Sequence, residues 1–290
     1  MRLGALEAGG TRMTLTVGSE TGEIFEQIRM PTTTPEEMLP LVVDYFRGQN
    51  IYALGIACFG PLDLKPDSPS YGYITTTPKP GWSDCPILPV LRSGLGIPTA
   101  IDTDVNAAAL AEHRLGAGRG FDNMMYVTVS SGIGGGLIIG GQPVHGCMHP
   151  EVGHILIQPH PQDPVPQGFC PYHPSCLEGL ADQHAMEKRW ELPLAEIPAG
   201  HPAWEIEAHY LSQLCMDTLM MVSAERIILG GSVMQQETLL PMVRLQTQKL
   251  LNGYIASDRV LRHMDDIIVA PGLGEDSIAV GALLLAAEVA

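Results

Sequence analysis

Apolar residues fall along this chain in short runs that close on glycine. Leu3 to Glu7 reads as a buried strand entering Gly9-Gly10-Thr11, and Met13 to Val17 reads as the strand leaving it. This predicts a β-hairpin turning on glycine. The pattern returns downstream: Met125 to Val129 is strand-like, Ser130 to Gly136 is glycine-rich, and Leu137 to Ile139 is strand-like again. A third apolar run, Arg226 to Leu229, enters Gly230-Gly231-Ser232-Val233 and leads toward a helix-like segment. Two equivalent hairpins predict a duplicated α/β fold in two lobes.

Between the glycine elements lie ordinary α/β signals. Thr34-Pro35-Glu36-Glu37 combines an N-cap, a proline at the first helical position and an acidic first turn, which predicts a helix to about Gly48. Ala53 to Phe59 is an apolar strand closing on Gly60-Pro61, and residues 61–86, rich in Pro, Ser and Thr, predict a long surface loop. Pro98 to Ile101 predicts a strand running into Asp102-Thr103-Asp104, with a helix over Asn106 to Leu115. Residues 158–176 are proline-rich and aperiodic, so they need a staple to be ordered. Ser277 to Val289 predicts an Ala-rich helix. The expected division is a first lobe over 1–115, with the C-terminal helix (about 277–290) packing back on it, and a second lobe over 116–276.

Composition narrows the function. The 290 residues are 45% apolar and 17% charged, enough to bury a core. Lys plus Arg is 16 against 32 Asp plus Glu, a formal charge of −16, which disfavours binding to nucleic-acid backbones. A glycine turn can still bind a phosphate locally through backbone N–H groups. No apolar run is long enough to span a bilayer, and the first ten residues make a poor signal peptide, so the expected compartment is the cytoplasm. The six cysteines are too sparse for a disulfide framework. Cys58, Cys85, Cys147 and Cys215 read as buried free thiols, and the methionines mostly as core filling, with Met216, Met220 and Met221 on one helix face.

Four constellations carry candidate chemistry. In the two hairpins, Gly9, Gly10, Thr11 and Arg12 form one turn and Ser131, Gly132 and Gly134 the other. Each offers open N–H groups, a hydroxyl and, at Arg12, a charge. Either turn alone is as readily a bare tight turn, whereas two with a third glycine pair point to one nucleotide. A dinucleotide fold is disfavoured, because the third glycine of G-x-G-x-x-G would fall at Leu137. Asp102 and Asp104 sit where a strand ends and a helix begins. One of them suffices as an N-cap, so Asp104 is the candidate general base and Asp102 the structural carboxylate, with Asn106 able to position a substrate. Cys170-Pro171-Tyr172-His173-Pro174-Ser175-Cys176 is C-x2-H-x2-C with His154 upstream, a complete tetrahedral zinc shell with no open position; His149 and His160 are rival fourth ligands. Glu151, His154 and Glu178 lie close to these ligands in sequence and suit the hydroxyls of a polyol.

Read together, these segments resemble the ROK family of bacterial sugar kinases. The motifs are Glu7-Ala8-Gly9-Gly10-Thr11, Asp102 to Leu110, Ser131-Gly132-Ile133-Gly134-Gly135-Gly136 and Pro150-Glu151-Val152-Gly153-His154. Cys170 to His173 with Cys176-Leu177-Glu178-Gly179, and Thr76 to Trp82, resemble its zinc-containing fructokinases. The resemblance implies an actin-like (ribonuclease H-like duplicated) fold with an interlobe cleft. It also implies ATP with Mg2+, phosphoryl transfer to a hexose, most readily fructose, and a homodimer. It makes Asp104 the base, and Asn106, Glu151, His154 and Glu178 the sugar residues. Gly9, Gly10, Thr11 and Arg12 become the first phosphate loop, Ser131, Gly132 and Gly134 the second, and Gly230 and Gly231 the adenosine contact. His154, Cys170, His173 and Cys176 become a structural Zn2+ site, with His154 using different ring nitrogens for metal and sugar. Two departures stand out. Arg12 replaces the family's usual Lys, and Asp182-Gln183-His184-Ala185 replaces Ser-Gly-Pro-Ala, adding bulk near the sugar–zinc loop. The competing readings are a kinase for glucose, mannose or an N-acetylhexosamine, a sugar sensor without turnover, and a zinc hydrolase, which the closed metal shell disfavours.

Overall fold

The computed structural model describes residues 1–77 and 79–290; Pro78, within the Thr76 to Trp82 motif, lies outside the described residues. The chain divides into two compact units. The first is Met1–Gly116 with Gln142–Pro150 and Glu275–Ala290, and the second is Ala117–Gly141 with Glu151–Gly274. The segment 142–150, including the two-residue strand Gln142–Pro143, thus belongs to the first unit, although its place in the sequence puts it among second-lobe residues.

In the first unit the strands are β1 (Leu3–Ala8), β2 (Arg12–Gly18), β3 (Ile24–Pro31), β4 (Leu54–Cys58) and β5 (Thr99–Thr103), in the order β3-β2-β1-β4-β5. β1 and β2 are the antiparallel hairpin, while β1, β4 and β5 run parallel. Parallel strands covered on both faces need continuous apolar sequence, and β4 is buried at every residue. One face meets α1 (Pro35–Arg47) and α2 (Ile87–Leu95), where Met38, Val42, Phe46, Leu88 and Leu91 join Leu6 and Ile56 in one core. Each such side chain contributes about 1.5–3 kcal/mol by burial. The other face meets α9 (Ser277–Val289), which also packs on α3 (Asp104–Leu115). Small residues make that packing close. A Cβ on Gly281 would run into the Ala107 backbone, and one on Gly55 into the Ala282 carbonyl.

The second unit repeats the plan. β6 (Met124–Val129) and β7 (Ile133–Ile139) form the hairpin, β9 (Arg226–Gly230) and β10 (Ile268–Val269) extend it in parallel, and the order is β7-β6-β9-β10. Here the label β8 is taken by Gln142–Pro143. The core joins Val127, Val129, Ile227 and Leu229 to Tyr210, Leu211 and Leu214 of α6 (Ala203–Val222) and to Val243 of α7 (Leu239–Leu251). Leu177–Ala181 (α4) and Gln183–Trp190 (α5) precede α6.

Three local expectations change. The segment after Gly230-Gly231 is only a 3-10 turn, Val233–Gln235, and the helix starts at Leu239. Pro241 sits in its first turn, where the missing N–H would have had no intrahelical partner. Cys147 is exposed rather than buried. Met220 and Met221 are 42% and 82% exposed, because α6 turns its last residues to solvent.

Candidate active site

Strand register assembles the first cluster. Ala8 pairs with Cys58 and Cys58 with Thr103, so three parallel strands end at one level. The Gly9-Gly10 turn and Asp104 therefore emerge at the same carboxyl edge of the sheet, the usual place for ligands in such sheets. Thr32 holds the turn, its N–H donating to the Thr11 carbonyl and its hydroxyl to that of Gly9. A Cβ on Gly9 would strike the Arg12 carbonyl, and one on Gly10 would land on the Lys79 ammonium. Thr11 and Arg12 are exposed beside it.

The helix cap at Asp104 belongs to neither aspartate. Thr103 is the N-cap of α3, its hydroxyl accepting from the Asn106 N–H at 3.1 Å. The cap of α3 is thus not made by Asp104, whose Oδ1 accepts the Val105 N–H at 2.9 Å. Burial pushes its carboxyl up to about 7, with the charge of Glu7 adding to the rise and Lys79 opposing it. Glu7 is itself raised, chiefly by burial. Asp102 is buried, its Oδ1 accepting from Thr103 N–H and Asn106 Nδ2, both at 2.7 Å, while His145 Nε2 lies 2.9 Å from its Oδ2. The Asp102 hydrogen bond holds the His145 imidazolium above the usual histidine range. Asn106 is 1% exposed and faces this carboxylate, and its Oδ1 has no hydrogen-bond partner among the described residues.

The second cluster lies in the second unit. Thr128 pairs with Gly230 in the parallel ladder, so the Ser130-Ser131-Gly132 turn and Gly230-Gly231 emerge together. Gly231 has φ +99°, and a Cβ there would meet the Val129 backbone, so this position must be glycine. Glu178 reaches the turn from α4. Its Oε2 accepts the Ile133 N–H at 2.9 Å and its Oε1 lies 3.7 Å from His154 Nε2. Glu151 is the N-cap of a 3-10 turn over Val152–His154, and His154 is its last residue.

Among the described residues, a cluster that could hold a metal ion is His154, Cys170, His173 and Cys176, with candidate ligand atoms within 4.8 Å of one another. His154 Nδ1 lies 3.9 Å from Cys170 Sγ and 3.8 Å from Cys176 Sγ, and His173 Nδ1 lies 3.8 Å from Cys170 Sγ. These are near the edges of a tetrahedron built on zinc–sulfur and zinc–nitrogen bonds of about 2.3 and 2.0 Å. The Tyr172 and Gly179 N–H groups point at the two sulfurs, as suits thiolates. His154 offers Nδ1 to the cluster and Nε2 to Glu178. Of the rival ligands, His149 Nε2 accepts the Leu62 N–H and His160 Nδ1 accepts the Gln162 N–H.

Comparison with known proteins places this arrangement. The ROK family matches over residues 3–289. This chain belongs to the ROK family. A fructokinase from Pediococcus pentosaceus is 42% identical over 99% of this chain and 98% of its own. A fructokinase from Zymomonas mobilis is 42% identical over 98% and 95%. The crystal structure of a ROK hexokinase from Thermus thermophilus superposes with a TM-score of 0.80 at 27% identity, covering 99% of this chain and 98% of that one. A Streptomyces griseus ROK glucokinase, solved with glucose and AMPPNP, shares the fold with a TM-score of 0.77 at 24% identity, over 99% of this chain and all of that one. The fold is the actin-like, two-lobed α/β fold of ROK sugar kinases.

Within that family frame, the departure at residues 182–184 sits against the second glycine turn. Gln183 N–H donates to the Ser130 carbonyl and His184 Nδ1 lies 3.0 Å from the Ser131 carbonyl. Sequence reasoning gave no role to Lys79 or His145. Lys79 lies within Thr76 to Trp82 but in a loop without periodicity, and its approach to Gly10 is a tertiary fact. His145 differs from other loop histidines only by its distant partner, Asp102.

Proposed function

We propose that this protein is an ATP-dependent fructokinase, converting fructose and ATP to fructose 6-phosphate and ADP in the cytoplasm. The observation that carries the reading is Asp104: a carboxylate at the carboxyl edge of a parallel sheet, beside a glycine turn, with a carboxyl held near 7. A base with that affinity is half-ionised near neutral pH and can take a hydroxyl proton as the oxygen attacks phosphorus. Identity of about 40% to named fructokinases over nearly the whole chain supports the same activity.

Each residue then has a task. Asp104 accepts the proton of the attacking hydroxyl, the new bond forms from that oxygen to the γ-phosphorus, and the bond to the ADP oxygen breaks. Glu151, His154 and Glu178 hold sugar hydroxyls, and Asn106 acts through Asp102 to keep the β5–α3 junction in shape. Gly9, Gly10, Thr11 and Arg12, with Lys79, form the first phosphate loop, and Ser131, Gly132 and Gly134 the second. Gly230 and Gly231 lie against adenosine. Mg2+ bound with ATP would supply charge neutralisation on the phosphates held by the two glycine turns. His154, Cys170, His173 and Cys176 fit a structural Zn2+, which fastens the loop bearing Glu178 and leaves no open position for water activation. The expected assembly is a homodimer, for which Leu250, Tyr254 and Leu261 offer exposed apolar surface. Light scattering tests it.

The deciding experiment is a coupled ADP-release assay with MgATP across fructose, glucose, mannose and N-acetylmannosamine. Fructose-dependent turnover is the expected result. Preference for another hexose would move the substrate within the class, and no turnover in zinc-loaded protein would end the kinase reading.

A further inference from the structure

β5 is an edge strand. Among the described residues it pairs with β4 alone, and the last rung is Cys58 with Thr103. Asp104 follows directly, so the ladder steadies its backbone from one side only. A second fixation comes from the segment 142–150. The chain leaves the second unit after Gly141, runs through these first-unit residues and returns at Glu151. Along the way β8 packs against α3, and His149 Nε2 accepts the Leu62 N–H at 3.0 Å. His145 Nε2 lies 2.9 Å from Asp102 Oδ2, a pairing that spans 43 positions.

A carboxylate only accepts, so the proton between these atoms sits on His145, which donates. Asn106 Nδ2 lies 3.4 Å from the same ring nitrogen. Both are donors, and they converge on one carboxylate instead of bonding each other. Asp102 thus takes donors on both oxygens, Thr103 N–H and Asn106 Nδ2 on Oδ1 and His145 on Oδ2. The first two belong to the β5–α3 junction itself. Of the three, His145 alone ties that junction to another part of the chain.

We propose that His145 is a positioning residue for phosphoryl transfer: by fixing Asp102 it holds the β5–α3 junction, and with it Asp104, in line for the attacking hydroxyl. The proposal rests on the reading that Asp104 is the base. Proton transfer in step with attack tolerates little displacement, and a misplacement of about 1 Å can cost about 10²-fold in rate. Stability is the competing use for the pair, and a poor one. The His145 side chain is 40% exposed, and an ion pair open to water adds little to folding. The ring also lines a cavity of about 330 Å³ with Pro61, Leu62, Thr75 and Met148, so a small solute can reach the space that a shorter side chain would leave. His149 keeps the segment pinned when His145 is changed.

The test uses the full chain, zinc-loaded, as wild type, His145→Ala and His145→Gln. kcat and KM are measured for fructose and for MgATP, together with Tm, and His145→Ala is assayed again with added imidazole. His145→Ala is expected to lose about 10- to 100-fold in kcat, with both KM values within about twofold of wild type. Its Tm should hardly move. His145→Gln, whose amide N–H can still donate to Asp102, should keep most of the rate. Imidazole should restore part of the rate lost by His145→Ala, with saturation as its concentration rises. An undiminished kcat in His145→Ala, or a loss confined to KM, would overturn the proposal. So would a fall in kcat that tracks a fall in Tm and answers neither to glutamine nor to imidazole. The two readings fail separately. A wild type that turns over fructose beside an equally active His145→Ala ends this proposal and leaves the kinase standing. A wild type that prefers another hexose ends fructose as the substrate, and the variants then decide this proposal on that sugar. A wild type without turnover on any hexose ends the kinase reading and this one with it.

Discussion

At the scale of single residues, Asp104 illustrates what a sequence does and does not carry. Its place after an apolar strand is legible, and so is its suitability as a base. Its freedom from capping is not, because Thr103 between the two aspartates takes the cap. Nor is its affinity for protons, which comes from burial and from Glu7, a residue 97 positions away in sequence but two strands away in the sheet. The carboxyl is held near 7 against an ordinary 3.8. A base must be ionised to work, so kcat/KM should rise with pH to a plateau above about 7. The same shift has the opposite sign for stability. The folded state binds this proton more tightly than the unfolded chain, so its contribution is present below about pH 4 and is lost as pH rises through about 7. Asp104→Asn should therefore abolish turnover, by about 10³-fold or more, and raise Tm at pH 8, by about 2–4 °C for each kcal/mol relieved. Retained turnover would remove Asp104 from the mechanism, and a lower Tm at pH 8 would contradict its raised affinity. Lys79 gives a linked prediction. It sits over Gly10 and lowers the proton affinity of Asp104. Lys79→Met should reduce kcat about 10²-fold and move the midpoint of the pH profile upward. A loss of rate with an unmoved midpoint would separate Lys79 from the base.

At the scale of elements, the hairpins, the helix over 35–47 and the C-terminal helix follow from periodicity, with Pro35 marking the first turn of the former although Thr34 makes no side-chain cap bond. Their sides face a core and so alternate or run apolar. The proline-rich segment 158–176 is the instructive exception. The sequence shows that it needs a staple and offers Cys170, His173 and Cys176 for one. It does not show the second fastening. Asp163 accepts from the Tyr210 hydroxyl and the Val165 N–H, and pairs with Arg189 Nε at 2.9 Å, with both side chains almost wholly buried. Neither Asp163 nor Arg189 carries a sequence mark of burial, since both are usually surface residues and their pairing spans 26 positions. Glu207, buried nearby, is pushed well above the carboxylate range by burial, with Arg189 the cation that opposes it. Removing Arg189 would leave Asp163 without its buried cation. Arg189→Met should cost about 3–5 kcal/mol of stability, read as a fall in the denaturant midpoint, and Asp163→Asn should cost less because the Tyr210 bond can persist. A near-neutral Arg189→Met would show that Asp163 does not depend on Arg189 for its burial.

At the scale of the whole molecule, duplication is the feature most legible in the sequence. Glycine turns recur because both units build the same hairpin followed by parallel crossovers, β2-β1-β4-β5 and β7-β6-β9-β10. The exact division is less legible, since residues 142–150 belong with the first unit and carry His145 to Asp102. Such membership depends on packing, not on order along the chain. Each unit has its own apolar core, one centred on Leu6, Ile56 and Phe46 and the other on Val127, Tyr210 and Leu229. The cluster that could hold a metal lies wholly in the second, so on the proposed zinc reading the free energy of binding is folding free energy for that unit's loop. Chelation should therefore act unevenly. Treatment with a strong chelator should speed amide hydrogen exchange across residues 154–182, where His154, the proline-rich loop and α4 would share the metal. β1, β4 and α9 should keep their protection, because they belong to the first unit. Activity should fall with the same time course, since Glu178 and His154 lose their fixed positions. Exchange that quickened equally in both units would mean that the two cores unfold as one cooperative body. Exchange that did not quicken anywhere would mean that the Asp163–Arg189 fastening holds the loop without metal.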